Sequence, residues 1–194
     1  MNASVPECLR SGRQRGVTLV ELIVFIVIIS VGLVGILGVL NLTSAKSADP
    51  LIRKQALSIA EALLEEVSLM PFTFCDPDDT ATATATSTAG CTVAESMASP
   101  GPETSQGESR YSTTAPFDNV NDYHGFTMSG IRDLSGAVVP GLASYNASVS
   151  VTRGGLGVAS ADDVVLIAVT VSGPGSETVT VHGYRVRYAP NALP

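Results

Sequence analysis

The chain has 194 residues and a formal charge of −7 from 11 basic and 18 acidic residues, and 45% of its side chains are hydrophobic. This length holds an anchoring helix and one modest globular domain. Three of the basic residues lie in the first 15 positions and no block of Lys or Arg comes after them, so the phosphate-neutralising surface of a nucleic-acid binder is absent.

The chain opens on a basic segment. Arg10, Arg13 and Arg15 against Glu7 give residues 1–16 a charge of +2; the positive-inside rule keeps such a segment in the cytoplasm and exports the remainder of the chain. From Leu22 to Leu40, 19 residues carry no charge. At about 1.5 Å per residue they span roughly 28 Å, enough to cross the hydrocarbon core of a bilayer. An ordinary secretory signal has a shorter apolar region with a small-residue cleavage site behind it. Here the sharp boundary, Gly16, comes before the apolar run, so that run is expected to stay on the mature protein. One charge interrupts it, Glu21. A lone charge facing lipid costs a few kcal/mol, which makes it a marker of a partner or a function.

The arrangement "RQRGVTLVELIVFIVIIS", with Glu21 five residues after Gly16, resembles the N-terminal signal of the type IV prepilin superfamily. The resemblance implies a dedicated peptidase that cuts between Gly16 and Val17, methylates the new Val17 amine and leaves Glu21 as the fifth mature residue. Side-by-side packing of such helices brings the amine of one subunit to Glu21 of its neighbour, neutralising two charges that would otherwise be buried unpaired and fixing register. Thr18 reads as a plain helix-surface threonine. Val17 departs from the phenylalanine or methionine usual at the family's first mature position. An uncleaved signal anchor with a stray glutamate is the alternative. Loss of the leader leaves 8 basic and 17 acidic residues, a balance of −9 before the terminus is counted.

Beyond the apolar run, residues 41–49 are polar and Pro50 either kinks the helix or starts a new one at its first turn. "LIRKQALSIAEALLEEVSLM" is then amphipathic: Ile52, Ala56, Ile59, Leu63, Val67 and Met70 recur at steps of three or four and predict a face that packs on a sheet. Pro71 ends the pattern. Gly32, Gly35 and Gly38 suit either close helix packing or the ordinary glycine content of membrane helices.

Residues 72–117 read as exposed, irregular loop, with turn residues, an alternating Thr/Ala tract and "SPGPETSQGES". Cys8 falls in the leader, which leaves Cys75 and Cys91 to pair in an exported, oxidising compartment. They enclose 15 residues. Asp76, Asp78 and Asp79 offer clustered oxygens to Ca²⁺, but Asp beside Pro is ordinary turn chemistry and the spacing is no EF-hand loop, so no metal is expected. The Asn-X-Thr/Ser triplets at Asn41 and Asn146 carry no meaning behind a bacterial-type export signal.

From His124 the hydrophobic period becomes two. "YNASVSVT", "VVLIAVTVS" and "TVTVHGYRVRY" predict three strands of an antiparallel meander, with a weaker one at 125–131. "RGGLGVASADD" connects the first pair, and "GPGS" closes the last hairpin. Gly183 is expected to reset the strand phase, turning Tyr184, Val186 and Tyr188 to the face used by Val179 and Val181. His124 and His182 have no nucleophile or acid near them in sequence and read as structural.

The predicted fold is therefore α+β, a type IV pilin fold: a long N-terminal helix, hydrophobic then amphipathic, packed on a C-terminal antiparallel sheet. The expected segments are a cleaved leader (1–16), a transmembrane or filament-core helix (17–42), an amphipathic helix (43–71), a disulfide-tethered loop region (72–123) and the sheet (124–194). "RKQALSIAEALLEEVSLMPFTFCDPDD" together with "GPGSETVTVHGYRVRYAPN" resembles the minor pilin D family of mannose-sensitive haemagglutinin (MSHA) pili. That resemblance implies a non-enzymatic subunit without catalytic residue, cofactor or metal. Its partners are the prepilin peptidase/methylase, other pilin subunits through the N-terminal helix and the inner membrane, with the head periplasmic and later on a cell-surface pilus. A minor pseudopilin of type II secretion and a signal-anchored adhesin that never polymerises are the alternatives.

Overall fold

The computed structural model describes residues 16–103, 106–157 and 160–191, without the side chains of 42–49. The leader residues Glu7, Cys8, Arg10, Arg13 and Arg15, with the expectations attached to them, lie outside the described residues. One helix, α1 (Leu19–Leu69, 51 residues), carries Pro50 inside it. Pro50 has no N–H to offer the carbonyl four residues back, so one rung of the helix ladder is missing at Lys46. The boundary between two compact units of the chain falls at the same point, between Lys46 and Ser47.

In the first unit, Leu19–Asn41 is the single stretch among the described residues long and apolar enough to cross a membrane. It has 23 residues, a mean hydropathy of 3.1 and no residue buried within the chain.

The second unit has its own core. Four strands, β1 (Thr127–Ser129), β2 (Asn146–Arg153), β3 (Val164–Ser172) and β4 (Thr178–Val186), form one sheet in the order β1-β2-β3-β4, every pair antiparallel. Alternation does what period two predicts. Ala147, Val149 and Val151 of β2 and Val165, Ile167, Val169 and Val171 of β3 are buried on one face, where they cluster with Ala56, Ala60, Leu63 and Val67 of α1. Two alanines in that helical stripe bring the helix close to the sheet, and Ile52, Ile59 and Leu64 pack at its margins. The result is an α+β fold, a long N-terminal helix over a four-stranded antiparallel sheet, consistent with a pilin.

Two expectations are corrected here. Gly183 does not reset the phase of β4: the pairs Val169↔Val181, Ile167↔Gly183 and Val165↔Arg185 run without a slip. Tyr184 and Val186 consequently lie on the outer face and are exposed. The glycine stands there because a Cβ would meet Leu64 Cδ1 of α1 at 3.0 Å. The region 72–123 is irregular but is not simply exposed. Phe72, Thr73, Asp76, Thr82, Glu95, Met97, Arg110, Asn119, Asn121 and Asp122 are all buried, and the 3-10 turn Val120–Tyr123 is buried throughout.

Long-range polar contacts hold that region down. Arg110 donates Nε to Glu66 Oε1 at 2.6 Å and Nη2 to Glu66 Oε2 at 2.7 Å, a two-pronged pair with the helix, and Tyr123 adds its hydroxyl to Oε1 at 2.8 Å. Burial and the adjoining Glu66 carboxylate push the Tyr123 phenol well above its usual range. Asn191 Nδ2 donates to the carbonyls of Thr82 and Ala85 at 2.6 and 2.9 Å, and Asn119 Nδ2 donates to Thr73 Oγ1 at 2.7 Å.

Candidate functional site

The chemistry of the N-terminus starts at a helix boundary. Gly16, Val17 and Thr18 are exposed and non-helical, and α1 begins at the next residue. Thr18 caps it. Its carbonyl accepts the Leu22 N–H at 3.1 Å, the first rung of the helix, and its Oγ1 accepts the Glu21 N–H at 3.3 Å, satisfying one of the donors that a helix start leaves open. Thr18 is thus an N-cap and not a plain surface threonine. The signal was present as Thr-X-X-Glu, the spacing of a capping box. Glu21 sits in the first turn, where a carboxylate faces the positive end of the helix dipole. The bond between Gly16 and Val17 is therefore accessible, and no neighbour lies within 4 Å of where a Gly16 Cβ would stand.

Along the apolar stretch the large side chains from Val17 to Leu40 are exposed. Ser30 Oγ donates to the Ile26 carbonyl at 2.6 Å, so this polar group is satisfied inside the helix and is compatible with lipid or with a dry helix bundle. Gly32, Gly35 and Gly38 have nothing within 4 Å of their Cβ positions.

In the second unit Cys75 and Cys91 form a disulfide, with their Cα atoms 5.3 Å apart. Asp79 ties the enclosed loop shut beside it. Its Oδ1 accepts the Ala81 N–H at 2.9 Å, and its Oδ2 accepts those of Thr92 and Val93 at 2.6 and 2.8 Å. These backbone hydrogen bonds hold the Asp79 carboxyl below its ordinary pKa. Asp79 is thus occupied as a loop clamp, and the trio Asp76, Asp78 and Asp79 does not converge.

A different set of acids does. Backbone bonds from Asp76 N–H to the Val93 carbonyl (3.1 Å) and from Glu95 N–H to the Phe74 carbonyl (2.9 Å) set residues 74–76 beside 93–95. Oxygens of Asp76, Glu95 and Glu103 lie within 4.8 Å of one another, as do those of Glu103, Glu108 and Asp122. Asp76 Oδ2 accepts from Gln106 Nε2 at 2.6 Å, and Asp122 Oδ2 accepts the N–H groups of Asp118 and Asn119 at 3.0 and 2.7 Å. Burial, reinforced by neighbouring carboxylates, pushes Glu95 up to about 10 and Asp118 and Asp122 each to about 7. Glu108 is pushed up to about 8 by burial and by its hydrogen bond with Glu103, whose own pKa is also raised, by burial first. Sequence reasoning missed Glu95, Glu103, Glu108, Asp118 and Asp122 because only the fold brings them together. His124 accepts the Val151 N–H on Nδ1 at 3.2 Å, a structural bond, and His182 is exposed on β4.

Comparison with known families places the N-terminus. Residues 11–37 match the family profile described as the prokaryotic N-terminal methylation motif. No curated protein and no solved structure matches the chain. The motif is that of prepilins of the type IV pilin and pseudopilin type, which are structural subunits. The apolar helix Leu19–Asn41 overlaps most of the matched stretch; the motif marks a prepilin-like N-terminus and implies membrane anchoring, processing by prepilin peptidase and assembly with other pilin subunits.

Proposed function

We propose that this chain is a minor pilin of an MSHA-like type IV pilus. The observation that carries the reading is the methylation motif over residues 11–37, which overlaps an apolar helix none of whose residues is buried within its own chain. Such a surface needs lipid first and other helices later. In this reading the basic leader keeps residues 1–16 cytoplasmic, the peptidase cuts after Gly16 and methylates Val17, and Glu21 pairs with the Val17 amine of an adjacent subunit. The head is exported and carried onto the surface filament, where its disulfide-tethered loops are free for packing or adhesion. The subunit performs no catalysis.

The test is N-terminal and intact mass spectrometry of the protein from native membranes and from sheared surface filaments, with Glu21→Val alongside. A chain that begins at N-methylated Val17 and is found in the filaments supports the proposal, provided that Glu21→Val is processed normally but absent from the sheared fraction. A chain still carrying Met1 to Gly16 in cells with active peptidase would sink it in favour of a signal-anchored adhesin. Processed protein that enters filaments only when secretion pseudopilins are expressed, and not with MSHA subunits, would make it a pseudopilin.

A further inference from the structure

We propose that the head binds a calcium ion between Asp76, Glu95, Glu103, Glu108 and Asp122. The observation that points to a ligand is Glu95. It is 1% exposed, and neither carboxylate oxygen has a partner with hydrogen-bonding geometry. The nearby Asn121 amide gives only weak compensation against the burial. Glu95 is aimed at the other acids, with its oxygen within 4.8 Å of those of Asp76 and Glu103. Asp122, fully buried, presents a second unpartnered oxygen, Oδ1, to the same constellation, and Glu103 Oε2 is a third. Glu103 belongs to both triplets and so joins them.

Burying ionised carboxylates without counter-charge costs several kcal/mol each. Among the described residues no Lys or Arg forms an ion pair with any of the five acids. Arg187, which lines a cavity with Glu95, pairs with Asp163 at 3.2 Å and stacks on Phe72 and Phe74; its charge reaches Glu95 without an ion pair or hydrogen bond, and one cation does not balance five acids. Protons or a cation must therefore supply the neutralising charge. Ca²⁺ takes six to eight hard oxygens in flexible geometry and accepts several carboxylates at once, whereas Mg²⁺ keeps much of its water and needs a stricter octahedron. A nest of buried and half-buried carboxylates joined by irregular loops fits the former. The proposal is independent of which assembly the N-terminus joins.

The test is thermal unfolding of the full-length chain in detergent micelles at pH 7.5, followed by near-UV circular dichroism in EGTA, in 5 mM Ca²⁺ and in 5 mM Mg²⁺. Calcium binding to folded protein with a dissociation constant of about 0.1 mM should raise the midpoint by roughly 5 °C or more. Mg²⁺ should give less than half that shift. Glu95→Gln swaps a carboxyl for a neutral side chain of the same shape, so it should melt in EGTA at or above the wild-type temperature and show no calcium shift. Glu103→Gln should also lose the shift. A wild-type midpoint that does not move with Ca²⁺, a Glu95→Gln protein that responds as the wild type does, or an equal response to Mg²⁺ would overturn the assignment.

Discussion

Single residues decide much of this architecture, and two of them were readable only with the fold in view. Thr18 and Glu21 spell a capping box three residues apart, a local signal that needed no structure. Gly183 does not work that way. A glycine inside an alternating strand suggests a bulge to anyone reading locally, yet its reason is Leu64 on a helix far away in sequence. Asp79 was legible as an acid in a turn but not as the clamp across the disulfide loop, because Thr92 and Val93 reach it only through folding. This clamp gives a pH prediction. The folded-state pKa of Asp79 is lowered, so its contribution is fully present above the unfolded-state value and is lost as the pH falls through the folded one. Denaturant titrations should show Asp79→Asn less stable than wild type at pH 7, with the gap closing as the pH drops below about 4. A gap that persists unchanged at pH 2.5 would mean that charge is not what the clamp uses.

At the scale of elements, α1 and the three long strands were legible because each signal is contained within its own segment: one helical stripe and three runs of period two. The irregular region was not. Its polar, turn-rich composition reads as solvent-exposed, but it is anchored by Glu66 and Arg110, by Asn119 and Thr73, and by Asn191 beyond β4. Those partners are remote, and a local reading has no access to them. The disulfide loop is the part of this region whose energetic weight can be reckoned from sequence separation alone. With 15 residues enclosed, Cys75→Ser with Cys91→Ser should cost about 3 kcal/mol in the chain-entropy picture. That lowers the melting midpoint by roughly 6–12 °C in a domain of this size. Equal midpoints for the oxidised and double-serine proteins would show that Asp79 and the 74–76/93–95 pairing hold the loop unaided.

For the whole molecule, the division after Lys46 separates a stretch in which no described side chain is buried from a unit that has its own core. A fragment from Ser47 to Pro194, exported to an oxidising compartment, should therefore fold as a monomer and melt cooperatively without detergent. Full-length protein stripped of detergent should aggregate, since Leu19–Asn41 then exposes its apolar surface to water. Size-exclusion chromatography and calorimetry of both preparations decide this. A fragment lacking cooperative melting would mean that the anchor contributes to the head's stability.

The threonine cap at the start of α1 has one more consequence. A cut between Gly16 and Val17 passes outside the helix and on the far side of its cap, so no turn has to unwind before the cut and none has to form after it. Under the proposed processing, α1 keeps its cap and its first turn, while three arginines are exchanged for a single amine, so the cut would act on what that end of the helix attracts.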